Sequence, residues 1–137
     1  MGSNKHLIEA VEGRDVMTLV EVARQGLLYS TFETLASYLA FTQQEWSHFL
    51  NTTLRTLQRY KKDKKPMPQP ISERILQIQI IYQLGLDVFE DKASFDQWLN
   101  LNSIALGGRK PKDLLDSTFG VEVVKDELNR IEYGILA

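Results

Sequence analysis

A glycine pair followed by cations, in the stretch GGRKPKDLLD at residues 107–116, is the first candidate for phosphate chemistry. A P-loop needs a Lys followed by Ser or Thr at the start of a helix, because backbone N–H groups and the hydroxyl then surround the phosphates and their Mg²⁺. Here Lys110 is followed by Pro111, which removes a backbone donor but suits the first position of a helix. We therefore predict that Gly107 and Gly108 bend the chain and that Pro111 begins a short helix.

Cations are concentrated between residues 52 and 65, where six Lys and Arg residues stand against Asp63 alone. The spacing of the stretch 42–62 fits a helix-turn-helix, whose second helix enters the major groove of DNA while nearby cations contact phosphates. Arg can form two hydrogen bonds with guanine and Gln with adenine, whereas Lys adds affinity without sequence preference. An ordinary amphipathic helix with a basic exposed face is the alternative. The predicted DNA-binding residues are Thr53, Arg55, Thr56, Gln58, Arg59, Lys61 and Lys62.

The end of the chain has the opposite charge. From Asp113 onward, six Asp and Glu residues stand against Lys125 and Arg130. The formal net charge of −2 over 137 residues therefore hides a basic middle and an acidic end. Such an asymmetry is expected when two regions meet different partners, although a merely solvated acidic surface is the alternative.

Catalytic and metal-binding residues are not indicated. The chain has no cysteine, which excludes disulfides, zinc fingers and thiol catalysis and fits a reducing cytoplasm. Its two histidines, His6 and His48, have no metal-binding motif or acidic pair at ligand spacing beside them. The longest mostly apolar stretch, 75–86, is shorter than the roughly 20 residues that cross a bilayer. We predict a cytoplasmic protein without enzymatic activity, metal, cofactor, membrane span or small-molecule substrate, and a disordered start MGSNKH without a secretory signal.

The apolar residues recur with helical period along nearly the whole chain, which predicts an all-α fold. Prolines at positions 66, 68 and 70 cannot continue a helix. We therefore predict an N-terminal helical region with the helix-turn-helix (1–65), a linker (66–71) and a C-terminal helical domain (72–137). Ser72 is expected to cap the long helix that opens this second domain.

Two predicted capping boxes begin the helices before the basic stretch. Ser30 with Glu33 and Thr42 with Glu45 each have the spacing at which hydroxyl and carboxylate satisfy free N–H groups reciprocally. The next helix is expected to start at Thr52 or Thr53. The helix-turn-helix core is predicted to contain Trp46, Leu50 and Leu57.

The last helix is predicted from about Val121 to Tyr133. Its inward side has apolar residues at positions 121, 124, 128 and 131, and Gly134 is expected to end it, so that Ile135 and the residues after it leave the helical path. Trp98 lies at helical spacing from Phe95 and is predicted to belong to the core.

Short motifs in a fixed order resemble one bacterial protein family. The run TLQRY at 56–60 resembles the recognition helix of Xre-type regulators. Three later fragments, at 98–100, 106–115 and 128–134, resemble the C-terminal toxin-binding domain of the Xre/MbcA/ParS antitoxin family. The resemblance covers the chain from about residue 30 to its end. Tyr60 stands where the family often has a second Arg, and Lys110 where it has Thr or Ser.

The resemblance implies an antitoxin whose partner is a RES-domain toxin that depletes NAD⁺. It also implies repression of the protein's own operon through the N-terminal domain. Because operators are pseudo-palindromic, a homodimer is expected. A plain helix-turn-helix regulator, whose C-terminal half dimerises or senses a ligand, is the alternative.

The implied mechanism is that the last helix and tail cover the entrance to the toxin's active site. A pocket that receives the phosphates of NAD⁺ must be cationic, so acidic residues on the helix offer complementary charge. Tyr133 adds a rigid amphipathic contact, and Arg130 can pair with a carboxylate. The implied toxin-binding residues are Asp126, Glu127, Arg130, Glu132, Tyr133, Gly134 and Ile135, whereas Gly107, Gly108 and Pro111 are expected to shape the domain.

Overall fold

The computed structural model describes residues 2–136, with side-chain environments for residues 5–134. This part of the chain contains eight α-helices and two short 3₁₀ helices and no strand, which confirms the predicted all-α fold. The 3₁₀ helices are Ile104–Leu106 and Pro111–Leu114. The α-helices are α1 (Gly2–Gly13), α2 (Val16–Gln25), α3 (Tyr29–Ala36), α4 (Gln43–Phe49), α5 (Leu54–Asp63), α6 (Gln69–Phe89), α7 (Lys92–Leu99) and α8 (Thr118–Leu136).

The contacts of the chain group residues 1–80 into one compact unit and residues 81–137 into another. The boundary between the two units lies inside α6, rather than in the proline-containing stretch 66–71. The first unit therefore holds the basic helix α5, and the second holds the acidic helix α8.

An aromatic cluster forms the core of the first unit. Tyr29, Phe32, Trp46 and Phe49 are all buried. Their rings meet edge to face, as in the pair Phe32 and Trp46 with centroids 5.0 Å apart and planes at 88°. This geometry is favourable for aromatic pairs because the positive ring edge meets a negative face. The predicted core residues Trp46, Leu50 and Leu57 are confirmed as buried.

One of the two predicted capping boxes is confirmed. The Thr42 hydroxyl accepts from the Glu45 N–H at 3.0 Å, and the Glu45 carboxylate accepts from the Thr42 N–H at 2.9 Å. The box predicted for Ser30 and Glu33 is wrong. Helix α3 begins at Tyr29 and has Leu28 at its N-cap with no side-chain cap bond. The helix therefore starts two residues earlier than predicted, with Tyr29 buried in the cluster, and the Glu33 carboxylate accepts from Lys61 instead.

The prediction that Ser72 caps the long helix is also wrong. Helix α6 begins at Gln69 and contains Pro70 in its first turn, where a missing N–H costs no helical bond. Ser72 is fully buried inside the helix. Its hydroxyl donates to the Met67 carbonyl at 3.1 Å and accepts from the Leu27 N–H at 2.9 Å. The segment before α6 is thereby attached to the first unit.

The predicted disorder of the start MGSNKH is contradicted by α1, which begins at Gly2. Leu7, Ala10 and Val11 are buried and lie on one side of this helix. Their burial against α2 stabilises a segment whose polar composition alone predicted disorder. Met1 lies outside the described residues.

The second unit has its own aromatic cluster. Phe95 is fully buried and stacks on Trp98, with ring centroids 6.0 Å apart and planes at 20°. Trp98 is half-buried and also contacts Phe89, so its predicted place in the core is confirmed. A Cβ at Gly85 would lie 2.1 Å from the Phe95 ring, so α6 and α7 approach closely here because position 85 has no side chain.

A small hydrogen-bonded network lies beside this cluster. The Asp96 carboxylate accepts from the Tyr82 hydroxyl and from the Lys92 ammonium, the latter at 2.6 Å. Burial raises the pKa of Tyr82 to about 12, and the bond to Asp96 acts in the same direction. The bond to Asp96 also raises the pKa of Lys92.

Candidate nucleic-acid and protein interfaces

The basic stretch forms the second helix of a helix-turn-helix made of α4, residues 50–53 and α5. The turn is compact because the Thr52 N–H donates to the Ser47 carbonyl at 3.0 Å, and Asn51 adopts a left-handed conformation with φ 53°. Thr53 is the N-cap of α5, and its hydroxyl accepts from the Thr56 N–H at 3.1 Å. Thr53 and Thr56, both predicted to bind DNA, therefore also fix the start of the helix.

One buried residue orients α5. Leu57 has none of its surface exposed, and α5 contacts α3 and α4, the helices that contain the aromatic cluster. Since successive residues of a helix are rotated by about 100°, four exposed residues spaced three and four apart share the opposite side. This outward face of α5 consists of Arg55, Gln58, Arg59 and Lys62. The structure thus brings four of the predicted DNA-binding residues onto one surface.

Lys61 lies to one side of this face and has partners within the first unit. Its ammonium is 3.2 Å from the Glu33 carboxylate, and it lies over the Tyr29 ring at 5.8 Å from the centroid. Both side chains of the ion pair are about half exposed, at 54% and 46%. Exposed pairs of this kind are weak, so phosphate binding by Lys61 competes with only a small interaction.

Helix α8 is anchored in the second unit by three fully or nearly fully buried residues, Val121, Val124 and Leu128. Ile131, the fourth residue predicted to face inward, is half-buried. Val124 and Leu128 have no exposed surface at all. This firm attachment leaves the opposite side of the helix exposed along its length.

The outward face of α8 has five exposed residues with spacings of four, three, four and three. It contains two charged residues between apolar or aromatic ones. Phe119 is 88% exposed and Tyr133 is 75% exposed, which is unusual for side chains of this size. The outward face of α8 consists of Phe119, Val123, Asp126, Arg130 and Tyr133.

The predicted toxin-binding residues are only partly brought together on this face. Asp126, Arg130 and Tyr133 belong to it, and Glu127 is beside it because its carboxylate accepts from the Arg130 guanidinium at 3.0 Å. Glu132 is half-buried and follows Ile131, so it lies on the other side of the helix, towards the anchored residues.

The predicted end of the last helix at Gly134 is wrong. Helix α8 continues to Leu136, and Gly134 is an exposed position within it. A Cβ at Gly134 would meet no atom within 4 Å, so neither packing nor backbone conformation requires a glycine there. Helical hydrogen bonding therefore continues through this residue. The side chain of Ile135 lies outside the described residues.

The glycine pair forms a turn before the short helix Pro111–Leu114, as predicted. Gly107 and Gly108 have φ of 71° and 80°, values that favour glycine. The Gly108 N–H donates to the Ser103 carbonyl at 2.8 Å, which closes the turn. Pro111 is buried at the first position of its helix, where its ring needs no donor.

Sequence reasoning missed the residues that set the first turn of α8. A Cβ at Gly120 would lie 1.8 Å from the Leu114 carbonyl oxygen, so α8 rests directly on the helix Pro111–Leu114. Phe119 and Val123 were also missed. Val123 follows Phe119 by four positions and Asp126 follows Val123 by three. This helical spacing could have indicated a second stripe on the side of the helix opposite Val121.

No group of three or more His, Asp or Glu residues that could hold a metal ion occurs among the described residues. None of the helices in the described part of the chain is long and apolar enough to cross a membrane.

Comparisons with known proteins agree with the division of the chain into two units. Residues 18–79 match the antitoxin Xre-like helix-turn-helix domain, and residues 84–134 match the antitoxin Xre/MbcA/ParS C-terminal toxin-binding domain. The fold and the two surfaces thus define an antitoxin that has a helix-turn-helix domain followed by a toxin-binding domain. The chain belongs to the Xre/MbcA/ParS antitoxin family. It is also similar to the Prs ADP-ribosylating antitoxin of Sphingobium sp. (strain YBL2), with 28% identity over an alignment of 128 residues that covers 86% of this chain and 80% of that relative.

Proposed function

We propose that this antitoxin neutralises a RES-domain toxin that consumes NAD⁺, by covering the entrance to the toxin's active site with the outward face of α8. The proposal is supported by the match of residues 84–134 to a toxin-binding domain. The name of the relative associates it with ADP-ribosylation, a reaction that takes its ADP-ribose from NAD⁺. Hydrolysis of NAD⁺ and ADP-ribosylation both require a pocket for the same diphosphate.

The observation that carries the proposal is the exposed, chemically mixed face of a firmly anchored helix. A pocket that binds a diphosphate has a positive potential at its entrance, which attracts acidic groups and guides their approach. Asp126 is exposed on this face, and Glu127 lies beside it and accepts from Arg130. Tyr133 offers an aromatic contact that costs little conformational entropy on binding.

The first unit supports a second activity, repression of the protein's own operon. The outward face of α5 presents two Arg residues and one Gln, which have the donors and acceptors that read base edges. Lys62 is placed to neutralise phosphates. We propose that two copies bind a pseudo-palindromic operator, because a two-fold dimer matches two half-sites. In this proposal the first unit, residues 1–80, contacts DNA, the second unit, residues 81–137, binds the toxin, and both activities take place in the cytoplasm.

Co-expression tests the antitoxin activity. Cells that produce the product of the neighbouring reading frame should stop growing, and the full chain should restore growth. Removal of residues 131–137 should abolish the rescue. Because this deletion also removes the half-buried Ile131, Tyr133→Ala gives a less disruptive test, and Lys125→Ala is its exposed control on the same helix. Rescue by the Tyr133→Ala protein at wild-type level would contradict the role of the α8 face.

A DNA-binding experiment separates this function from that of a plain regulator. A fragment that carries the protein's own upstream region should be shifted at low salt and released as salt increases, because phosphate binding displaces counterions. A protein that binds the fragment but never rescues cells would instead be a helix-turn-helix regulator without antitoxin activity.

A further inference from the structure

The outward face of α8 extends well beyond the residues that the sequence assigned to the toxin. Phe119 is 88% exposed and Val123 is 45% exposed, and both are aligned with Asp126, Arg130 and Tyr133. At a rise of about 1.5 Å per residue, Phe119 and Tyr133 are roughly 21 Å apart along the helix axis. A single pocket entrance does not need a contact of this length.

We propose that Phe119 and Val123 form an apolar anchor that docks into an apolar depression on the toxin, outside the NAD⁺ pocket, and provides much of the affinity for that partner. This inference rests on the proposed function and divides the face into two parts. The half around Asp126 and Tyr133 blocks the pocket entrance, whereas the half around Phe119 holds the partner. Aromatic residues in apolar recesses commonly dominate the binding energy of interfaces.

The backbone beside Phe119 is fixed before any partner binds. The next residue, Gly120, lies so close to the Leu114 carbonyl that a Cβ would be 1.8 Å from its oxygen. The Gly120 N–H also donates to the Ser117 hydroxyl at 3.0 Å, and the Val121 N–H donates to the Ser117 carbonyl at 2.9 Å. A residue whose backbone is already fixed loses little backbone entropy on binding, which favours a role as an anchor.

The charge of α8 favours the toxin over a second copy of this chain as the occupant. Four acidic residues on the helix outnumber two basic ones. Two α8 helices packed against each other would therefore bring an excess of like charge together, which disfavours the contact. A partner with a positive rim around an anion-binding pocket has the complementary charge. The acidic residues of α8 are Glu122, Asp126, Glu127 and Glu132, and its basic residues are Lys125 and Arg130.

The test compares full-length variants in binding to the purified product of the neighbouring reading frame. Phe119→Ala should raise the Kd by about tenfold or more, the effect of a contact worth about 1.4 kcal/mol. Val123→Ala should raise it by a smaller factor. Saturating Phe119→Ala protein should still inhibit NAD⁺ consumption completely, because the blocking half of the face is intact. Met17→Ala is the matched control, since Met17 is an apolar residue of the first unit with 71% exposure.

Thermal unfolding of each variant checks that the fold is unchanged, and sedimentation velocity measures self-association. A Kd equal to that of the wild type for both Phe119→Ala and Val123→Ala would overturn the anchor. So would weaker self-association of the Phe119→Ala protein with an unchanged Kd for the toxin, because the occupant would then be a second copy. If the wild-type chain neither binds nor inhibits the toxin, the proposed function fails and the anchor fails with it.

Discussion

Helices α5 and α8 present two different kinds of surface. Helix α5 is oriented by one fully buried residue, Leu57, and its outward face is polar and basic. Helix α8 is anchored by three buried residues, and its outward face has one acid and one base between exposed apolar or aromatic side chains. Nucleic acid is bound through cations and hydrogen-bonding groups, whereas protein partners are bound through apolar anchors surrounded by charge. The composition of each face therefore indicates the chemical class of its partner.

The two helices also differ in how their functional residues are used within the fold. In the first unit, Thr53 caps α5, and Lys61 forms an ion pair with Glu33. In the second unit, Phe119 and Tyr133 extend from α8 into solvent. Substitutions on α5 can therefore combine an effect on binding with an effect on the helix, unless they are confined to its outward face.

The largest expected effect comes from Arg55→Ala combined with Arg59→Ala. Because each base contact contributes about 1–3 kcal/mol, the double variant should bind its operator at least about 30-fold more weakly. Both residues are exposed, so thermal stability should not change. Titration of a labelled upstream fragment at constant salt measures the affinity, and rescue of toxin-producing cells should remain at wild-type level. Unchanged affinity would show that another surface contacts the DNA.

Two glycine substitutions on α8 should have opposite effects on its stability. Gly120→Ala places a Cβ against a backbone oxygen that cannot move aside, so it should lower the free energy of unfolding by about 3 kcal/mol. Gly134→Ala meets empty space in a helix and should raise it by up to about 1 kcal/mol. Urea unfolding of both variants gives the two values. A stability loss in the Gly134→Ala protein would contradict the continuation of α8 through this residue.

A third prediction concerns the hydrogen-bonded network of the second unit. The Lys92 and Asp96 pair is completed by Tyr82, whose pKa is raised to about 12 by burial and by its bond to Asp96. Because the folded protein holds Tyr82 in its neutral form, this contribution to stability is complete below pH 10 and is lost as the pH rises through 12. Tyr82→Phe should lower the free energy of unfolding by about 1.5–3 kcal/mol at neutral pH, since it removes a hydrogen bond to a charged group.

Urea unfolding at pH 8 and pH 11 measures this dependence. The wild type should lose stability between the two pH values, and Tyr82→Phe should lose less, because the variant has no hydroxyl to ionise at this position. Equal losses in both proteins would show that Tyr82 does not carry the dependence.

The smallest expected effect is that of Glu33→Gln in the first unit. The exposed pair with Lys61 contributes about 0–1 kcal/mol, so stability should decrease only slightly. Lys61 is then free to bind a phosphate, so the affinity for the upstream fragment should increase. The slope of log affinity against log salt concentration should become steeper by up to about one. Glu33→Asp is the matched control that keeps the charge. Weaker DNA binding by Glu33→Gln would mean that the ion pair positions α5.

The sequence predicted most of the fold because helical period and proline positions act locally. The stripe at Val121, Val124 and Leu128 and the box at Thr42 and Glu45 needed no knowledge of distant residues. The error at Ser72 concerns a contact between elements distant in the chain. Ser72 has the residue type of a cap, but its hydroxyl binds Leu27, which is 45 positions away.

The surfaces were predicted less completely than the fold. Charge and residue type indicated Arg55 and Arg59 on α5, because a basic helix is visible in the sequence. Phe119 was missed because it precedes Val121, the predicted start of the last helix, whereas α8 begins at Thr118 and therefore includes Phe119 in its outward face. Gly134 was interpreted as a helix end from its residue type, although the helical hydrogen bonds continue past it.

Amide hydrogen exchange tests most directly whether the protein has two separate surfaces for two partners. The full chain is measured alone, with a fragment of its upstream DNA, and with the purified product of the neighbouring reading frame. We predict slower exchange in residues 54–63 with DNA, and slower exchange in residues 119–134 with the toxin. Protection of α8 by DNA without protection of α5, or no protection of α8 by a bound toxin, would contradict this prediction.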